Sequence, residues 1–447
     1  MTDHSPQVDM RELAKFRLRN LRQPIFILAS VAFAGAGLTA LGFQFTSDAS
    51  RRFMLGYLVA FAFVLSISLG SLFFVLVQHQ FRAGWSVVVR RISEFFCLNM
   101  IVVAVLFLPI AWSVWRGDGL IYSWSKMDAA VSIKNAAEPV FQPVAFERIV
   151  DSEHRTGNTA DHGGQGHVVN KPYLNRERFL ATWAVLFVFW ISVSVYYYRN
   201  SVAQDSTGDL RRTRNMEWWS GIVLLLFAFS LTFAAFDLLM MLDATWYSTI
   251  FGVYYFSGCA VAAFATILLC VLLLKRFHLA PDVFSEELQR DLGRLLFAFV
   301  FFWAYIAFSQ YMLLWYANMP ETTGWLVRRG MSTAAGYSNS WGWLVVILLL
   351  SHFLVPFAGI MSRHVKSNST AMIWWTIWML VVHYLDLYWI VIPESNAELT
   401  IGFVEIGIAL AVISSYGIAI LGISLRSNLF AVGDPRMSES LTRHAMY

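Results

Sequence analysis

The sequence predicts an all-α integral membrane protein with ten transmembrane helices, and three observations predict it. Only 14% of its 447 residues are charged, against 57% hydrophobic and 16% aromatic, where soluble domains carry about 25% charged residues. Apolar runs of about 20 residues, the length of helix that crosses a hydrocarbon core with its backbone polar groups satisfied internally, recur along the whole chain. The basic residues alternate between heavily and sparsely charged connections, as they do where short basic loops stay cytoplasmic. A soluble enzyme is excluded by this composition. The net charge of +4 is spread between apolar blocks rather than gathered in a patch, so no nucleic-acid partner is expected.

The expected spans are Pro24–Phe45, Phe53–Val77, Ile92–Trp115, Phe179–Tyr198, Glu217–Met241, Trp246–Leu274, Leu292–Met319, Trp341–Met361, Ala371–Ile392 and Thr400–Leu425. They divide the chain into a basic tail (1–23), helices one to three (24–115), a long loop (116–178), helices four to ten (179–425) and a second tail (426–447). The first apolar run is too long for a cleaved signal peptide, so a retained first helix is expected.

Of the 33 Lys and Arg, 21 fall on the side of the two tails and 12 on the other, eight of the 12 in the long loop. Long segments escape the charge rule, which leaves Arg51, Arg52, Arg328 and Arg329 as the basic residues of the sparse side. Both termini are therefore expected on the cytoplasmic side, with the long loop outside. Trp218/Trp219, Trp341/Trp343 and Trp374/Trp375 fall at span ends, the headgroup level that amphipathic rings favour. In the loop, His154, His162 and His167 stand among Gly and small polar residues, a pattern read as a partner-facing segment in preference to a metal site.

Spans two to five and six to nine share one orientation, because four crossings return the chain to its starting side. Two four-helix bundles, helices 2–5 and 6–9, flanked by helices 1 and 10, are expected.

The cysteines, Cys97, Cys259 and Cys270, sit singly in apolar runs and make no haem-attachment, cluster or disulfide pattern. Ionisable residues at bilayer depth are the remaining candidates, since they are costly there and usually mark an ion or substrate path. His352 and His383 fall near mid-bilayer in adjacent spans, and Asp386 follows His383 by three residues, on the same helix face. Three readings stay open for this trio: axial ligands of a b-type haem, a proton relay or quinol-binding group, or a structural hydrogen-bonded set. Asp237 and Asp243 frame a short turn, where capping is the plain alternative. Glu94 lies beside Arg90 and Arg91, where a surface ion pair is the plain alternative. Glu405 is expected five residues inside span ten, and Ser309 and Gln310 interrupt span seven.

Four strings carry a family resemblance: FDLLMMLDATWYSTIFGVYYFSG (Phe236–Gly258), FWAYIAFSQYMLLWYANMPE (Phe302–Glu321), SHFLVPFAGIMSRHVK (Ser351–Lys366) and VVHYLDLYWIVIP (Val381–Pro393). KPYLN (Lys171–Asn175) adds to them. The chain resembles the ActF membrane subunits of bacterial alternative complex III, which are NrfD-like and related to the polysulfide reductase membrane subunit. The match is dense in the second half, and the HGGQGH stretch lies outside it. The resemblance implies a subunit of a quinol-oxidising electron-transfer complex, without a redox centre of its own. Its neighbours would be a quinol-binding NrfD-like subunit (ActC), a periplasmic iron-sulfur subunit and multihaem and monohaem cytochromes c, with a terminal oxidase as a further partner. Haem c and iron-sulfur clusters would belong to those neighbours, and a quinone such as menaquinone is the small molecule this chain would meet. The rival expectations are a secondary transporter with substrate near His352 and His383, and a b-type cytochrome.

Overall fold

The computed structural model describes Leu13, Phe16, Leu18 and residues 21–46, 48–126, 173–278, 283–331, 339–396 and 398–442. His154, His162, His167, Lys171 and Pro172 lie outside the described residues.

Among the described residues, ten helices are long and apolar enough to span a membrane. They are α1 (Arg22–Phe45), α2 (Ala49–Gln80), α3 (Val87–Arg116), α4 (Arg176–Thr207), α5 (Leu210–Leu242), α6 (Phe251–Arg276), α7 (Glu286–Ala317), α8 (Trp341–Met361), α9 (Ser369–Glu394) and α10 (Phe403–Ser424). Seven begin before the apolar run, and four of these are started by polar caps in the flanking segment. Asn175, Asp209, Ser285 and Asn368 each accept a hydrogen bond from a backbone N–H of the first turn of α4, α5, α7 and α9, satisfying donors that the helix itself leaves free. Two boundaries move the other way. α6 starts at Phe251 rather than Trp246, and Trp246 instead stacks on Trp325 with ring centroids 4.4 Å apart. α10 starts at Phe403 rather than Thr400.

The helix neighbours close two rings. α2 meets α3, α3 meets α4, α4 meets α5 and α5 returns to α2; likewise α6, α7, α8 and α9 follow one another and α9 returns to α6. The rings join where α2 packs on α6 and α9, and α1 leans on α10, which packs against α2. The joint is close because Gly70 of α2 lets the backbones touch: a Cβ there would fall inside the van der Waals shell of the Cys259 carbonyl oxygen of α6. The first ring is filled by aromatic side chains, with Phe107 and Trp183 stacked at 4.5 Å and Trp190 donating to Ser230 Oγ at 2.9 Å. The second ring holds His352, His383 and Asp386.

Both ends of the described chain meet on one face, where Leu429 N donates to Phe16 O at 3.2 Å and the rings of Phe16 and Phe430 lie 5.5 Å apart. We call this the terminal face and the opposite one the loop face.

Candidate functional site

α8 is not a uniform helix. Pro356 has no N–H to bond the carbonyl four residues back, that of His352, and the turn Leu349–Leu354 before it widens into a π-helix. Trp378 Nε1 of α9 reaches across to Ser351 O at 2.8 Å. The widened turn puts His352, fully buried, flat against the Trp303 indole of α7, with ring centroids 3.6 Å apart and planes 27° from parallel. Neither nitrogen of His352 has a hydrogen-bond partner.

Trp303 turns its Nε1 to Asp386 Oδ2 of α9 at 3.2 Å, while the Tyr254 hydroxyl of α6 donates to Asp386 Oδ1 at 2.5 Å. One carboxylate thus joins α6, α7 and α9, and His352 of α8 is linked to it through the shared indole. All four helices of the second ring contribute.

His383 faces elsewhere. One turn from Asp386 along α9, its Nε2 lies 3.0 Å from Ser66 Oγ of α2. Ser66 already donates its only hydrogen to Phe63 O at 2.7 Å, so Nε2 carries the proton and Nδ1 presents a lone pair. Nδ1 is buried and without a partner. A Cβ on Gly258 of α6 would stand 2.6 Å from His383 Cε1 and 3.1 Å from Nδ1, so the glycine backbone covers the ring edge that an iron would approach. Asp386 and His383 share a helix but engage different neighbours, one inside the second ring and one at the joint between rings.

The other candidate acids belong to ion pairs. Asp237, fully buried at the loop-face end of α5, takes a double contact from Arg178 Nη1 at 3.1 Å to each oxygen and a hydrogen bond from Tyr173 at 3.1 Å. Burial and the Asp237 charge push the Tyr173 phenol up to about 12, so it remains a donor at neutral pH. Asp243 folds its own turn by accepting from the Thr245 N–H and hydroxyl at 2.9 and 2.7 Å, and it pairs with Arg328. Its carboxyl is opposed by burial, yet Arg328 and the Thr245 bonds hold it below the usual carboxylate value. Glu405 is not deep in a span. It stands in the first turn of α10, accepting from Gly402 N at 3.1 Å as a capping residue and from Arg52 Nε at 2.6 Å. Its apparent depth came from starting the span three residues early.

At the terminal face, Glu94 lies 3.0 Å from Arg91 Nε and 3.4 Å from Arg90 Nε, as its neighbours in sequence suggest, but the set is buried rather than superficial. Arg90 continues to Asp434 at 2.5 Å and Arg91 to Asp205 at 2.9 Å. Tail and helices are sealed together there. Ser309 and Gln310 do not interrupt α7. The Ser309 hydroxyl donates to Tyr305 O at 2.7 Å within the helix, and Gln310 is buried with an unpartnered Oε1.

Sequence reading did not single out Ser66, Tyr254, Trp303 or Arg329. Arg329 is almost fully buried, stacks on Trp325 at 3.7 Å, pairs with Glu394 at 2.7 Å and donates to Ile390 O at 2.5 Å. It locks the short helix Pro320–Arg328 over the loop-face end of the second ring. Pro356, visible in the sequence, was the one signal for the π-turn.

Five acids are buried among the described residues: Glu94, Asp237, Asp386, Glu405 and Asp434. Four of them pair with arginine. Asp386 has only neutral donors. No three His, Cys, Asp or Glu among the described residues are placed to hold a metal ion. Comparison with protein-family models and with curated proteins finds no match to the chain.

Proposed function

We propose that this chain is a non-haem membrane subunit of a respiratory quinol-oxidising complex of the alternative complex III kind, in which Asp386 and the groups around it handle protons. The observation that carries the reading is the solitary state of Asp386. A carboxylate in a low-dielectric interior is costly unless a cation or a proton neutralises it. Asp237, Glu94, Glu405 and Asp434 have an arginine, so their charge is fixed. Asp386 has a phenol and an indole, so a proton is its only available neutraliser. His352, with two unpartnered nitrogens, and His383, with an unpartnered Nδ1, are the nearby groups able to exchange one.

The four strings quoted above add the family reading, and with it partners that would carry the haem c and iron-sulfur centres and a bacterial inner-membrane location, while the distribution of Lys and Arg favours cytoplasmic termini. A quinone headgroup would compete for positions that Tyr254 and Trp303 already hold on Asp386, so we derive no step through it. Purification of the assembly through a tag on this chain tests the reading. Co-purification of c-type cytochrome and iron-sulfur subunits is expected, and recovery of the chain without redox partners defeats it.

One observation favours a second reading. The π-turn breaks α8 beside His352 in mid-span, and secondary transporters place substrate at such breaks. Solute uptake by vesicles containing only this protein would select it.

A further inference from the structure

His352 is the only ionisable residue of α8, and it is fully buried. The turn that carries it, Leu349–Leu354, gives up regular α-helix for a π-turn, a departure that is frequent at functional sites. Both imidazole nitrogens are left without a partner, which costs free energy that an apolar side chain of the same shape would not.

What this position provides is the indole of Trp303. His352 lies flat on it with ring centroids 3.6 Å apart and planes 27° from parallel, while the indole edge donates from Nε1 to Asp386 Oδ2 at 3.2 Å. The imidazole nitrogens lie in their own ring plane, so stacking leaves both free to take a proton. One flat side chain thus touches an acid at its edge and a base on its face. The other ionisable groups around the pair are differently engaged. Tyr254 of α6 donates to Asp386 Oδ1. His383 of α9 is within electrostatic reach of His352, but its Nε2 holds Ser66 of α2 and its ring packs on Phe63. Arg329, whose charge reaches Tyr254 from the loop face, is committed to Glu394, and α7 has no ionisable residue between Arg294 and Tyr305.

We propose, on the proton-handling reading of Asp386, that Trp303 is a positioning residue that makes Asp386 and His352 a single proton-holding pair. With the proton on Asp386, both groups are neutral. When that O–H bond breaks and an N–H bond forms on the imidazole, carboxylate and imidazolium are joined through the indole, and the net charge of the pair is again zero. No electron changes hands, and Trp303 keeps its own N–H throughout. The indole favours the second state in two ways. A cation on the face of tryptophan is attracted by the ring quadrupole, most strongly where water is excluded. A carboxylate accepting from Nε1 polarises the N–H and leaves the ring more electron-rich, and contacts in series strengthen one another in a low-dielectric interior. An acid that has no arginine thereby gains a counter-charge from the proton it gives up.

Infrared difference spectroscopy of the full chain in lipid nanodiscs tests this, with the carbonyl band of protonated Asp386 identified by its loss in Asp386→Asn. His352→Phe keeps a flat ring on the indole and removes the cation. At the pH where the wild-type acid is half ionised, it should raise the ratio of protonated to ionised Asp386 about tenfold, the size of a partly desolvated cation–π contact. His383→Ala should have a smaller effect. In Trp303→Phe, which removes the N–H and leaves a weaker ring face, the His352→Phe effect should shrink to about threefold or less. Where Trp303→Phe does not fold, growth on fluorotryptophan preserves the shape, weakens the ring face as a cation site and should reduce the His352→Phe effect in the same way. An Asp386 band that titrates but ignores His352→Phe, responds equally to His383→Ala, or keeps its full His352 dependence in Trp303→Phe or with fluorotryptophan overturns the pairing and leaves the proton-handling reading standing. A band that is constant at every pH overturns both.

Discussion

The Tyr254 hydroxyl donates to Asp386 Oδ1 at 2.5 Å, tying α6 to α9 inside the second ring. This contact orients a carboxylate that has no arginine, with Trp303 Nε1 holding the other oxygen at 3.2 Å. Orientation by neutral donors leaves the charge of the acid to be set by a proton, which an ion pair would prevent.

Asp386→Asn removes that exchangeable proton and keeps the volume. The number of protons translocated per electron in the assembled complex should fall, with subunit content unchanged. Tyr254→Phe leaves the acid in place with one donor fewer, at about 1–3 kcal/mol of stability, and His383→Ala removes the Nδ1 acceptor. A proton-to-electron ratio that stays at the wild-type value in all three variants makes the cluster structural. Assembly is checked first, since a buried group that loses its partner can unfold its surroundings.

How much of this was legible in the sequence differs by level. The ten spans were readable because the bilayer imposes a length on every helix, whatever its neighbours. His352, His383 and Asp386 were readable because ionisable groups are rare at depth. Which acid mattered was not readable, since only Glu94 has its arginines next to it in sequence and the other three are neutralised from afar: Arg52 meets Glu405 across 353 positions, Arg90 meets Asp434 across 344 and Arg178 meets Asp237 across 59. Ser66 is one of three buried serines in α2, and Tyr254 is one of 17 tyrosines, so only packing distinguishes them. The expected interruption at Ser309 failed for a local reason, because a serine in a helix can return its hydroxyl to the preceding turn, as it does to Tyr305 O.

The Arg329 cluster should be a stability element of the loop face. Glu394→Ala leaves a buried guanidinium with carbonyl partners and no counter-ion, a change that costs roughly 3–5 kcal/mol where a buried pair is broken from one side. Combining it with Arg329→Met removes the orphaned charge and should recover much of that loss. Thermal unfolding in detergent reads both. A double variant no more stable than Glu394→Ala contradicts the assignment of the loss to an unpaired cation.

Acid should release the Asp243 turn only below the ordinary carboxylate range. Arg328 and Thr245 hold the Asp243 carboxyl below its ordinary value near 3.8, against the opposing effect of burial. An acid depressed in this way stabilises the fold above its unfolded value, and that contribution disappears as pH falls through the folded value. Loop-face stability, followed by hydrogen exchange at residues 239–250, should therefore be flat from neutral pH down to about pH 4 and decline below it. Asp243→Asn should be less stable at neutral pH and lose most of this acid sensitivity. An unaltered acid profile in that variant assigns the sensitivity to another group.

Glu405 provides the contrast that isolates Asp386. Its carboxylate caps α10 through Gly402 N and pairs with Arg52 at 2.6 Å, so its charge is committed to structure at the membrane edge. Glu405→Gln preserves the capping geometry, because glutamine serves that position as well as glutamate, and removes the ion pair. The loss should be about 1–3 kcal/mol, the range for a hydrogen bond to a charged group, toward the lower end because Arg52 is partly solvated. Proton translocation per electron should remain at the wild-type level in this variant while Asp386→Asn lowers it. If the two substitutions depress the ratio equally, the presence of an arginine does not separate structural from proton-handling acids here, and the solitary state of Asp386 loses its meaning.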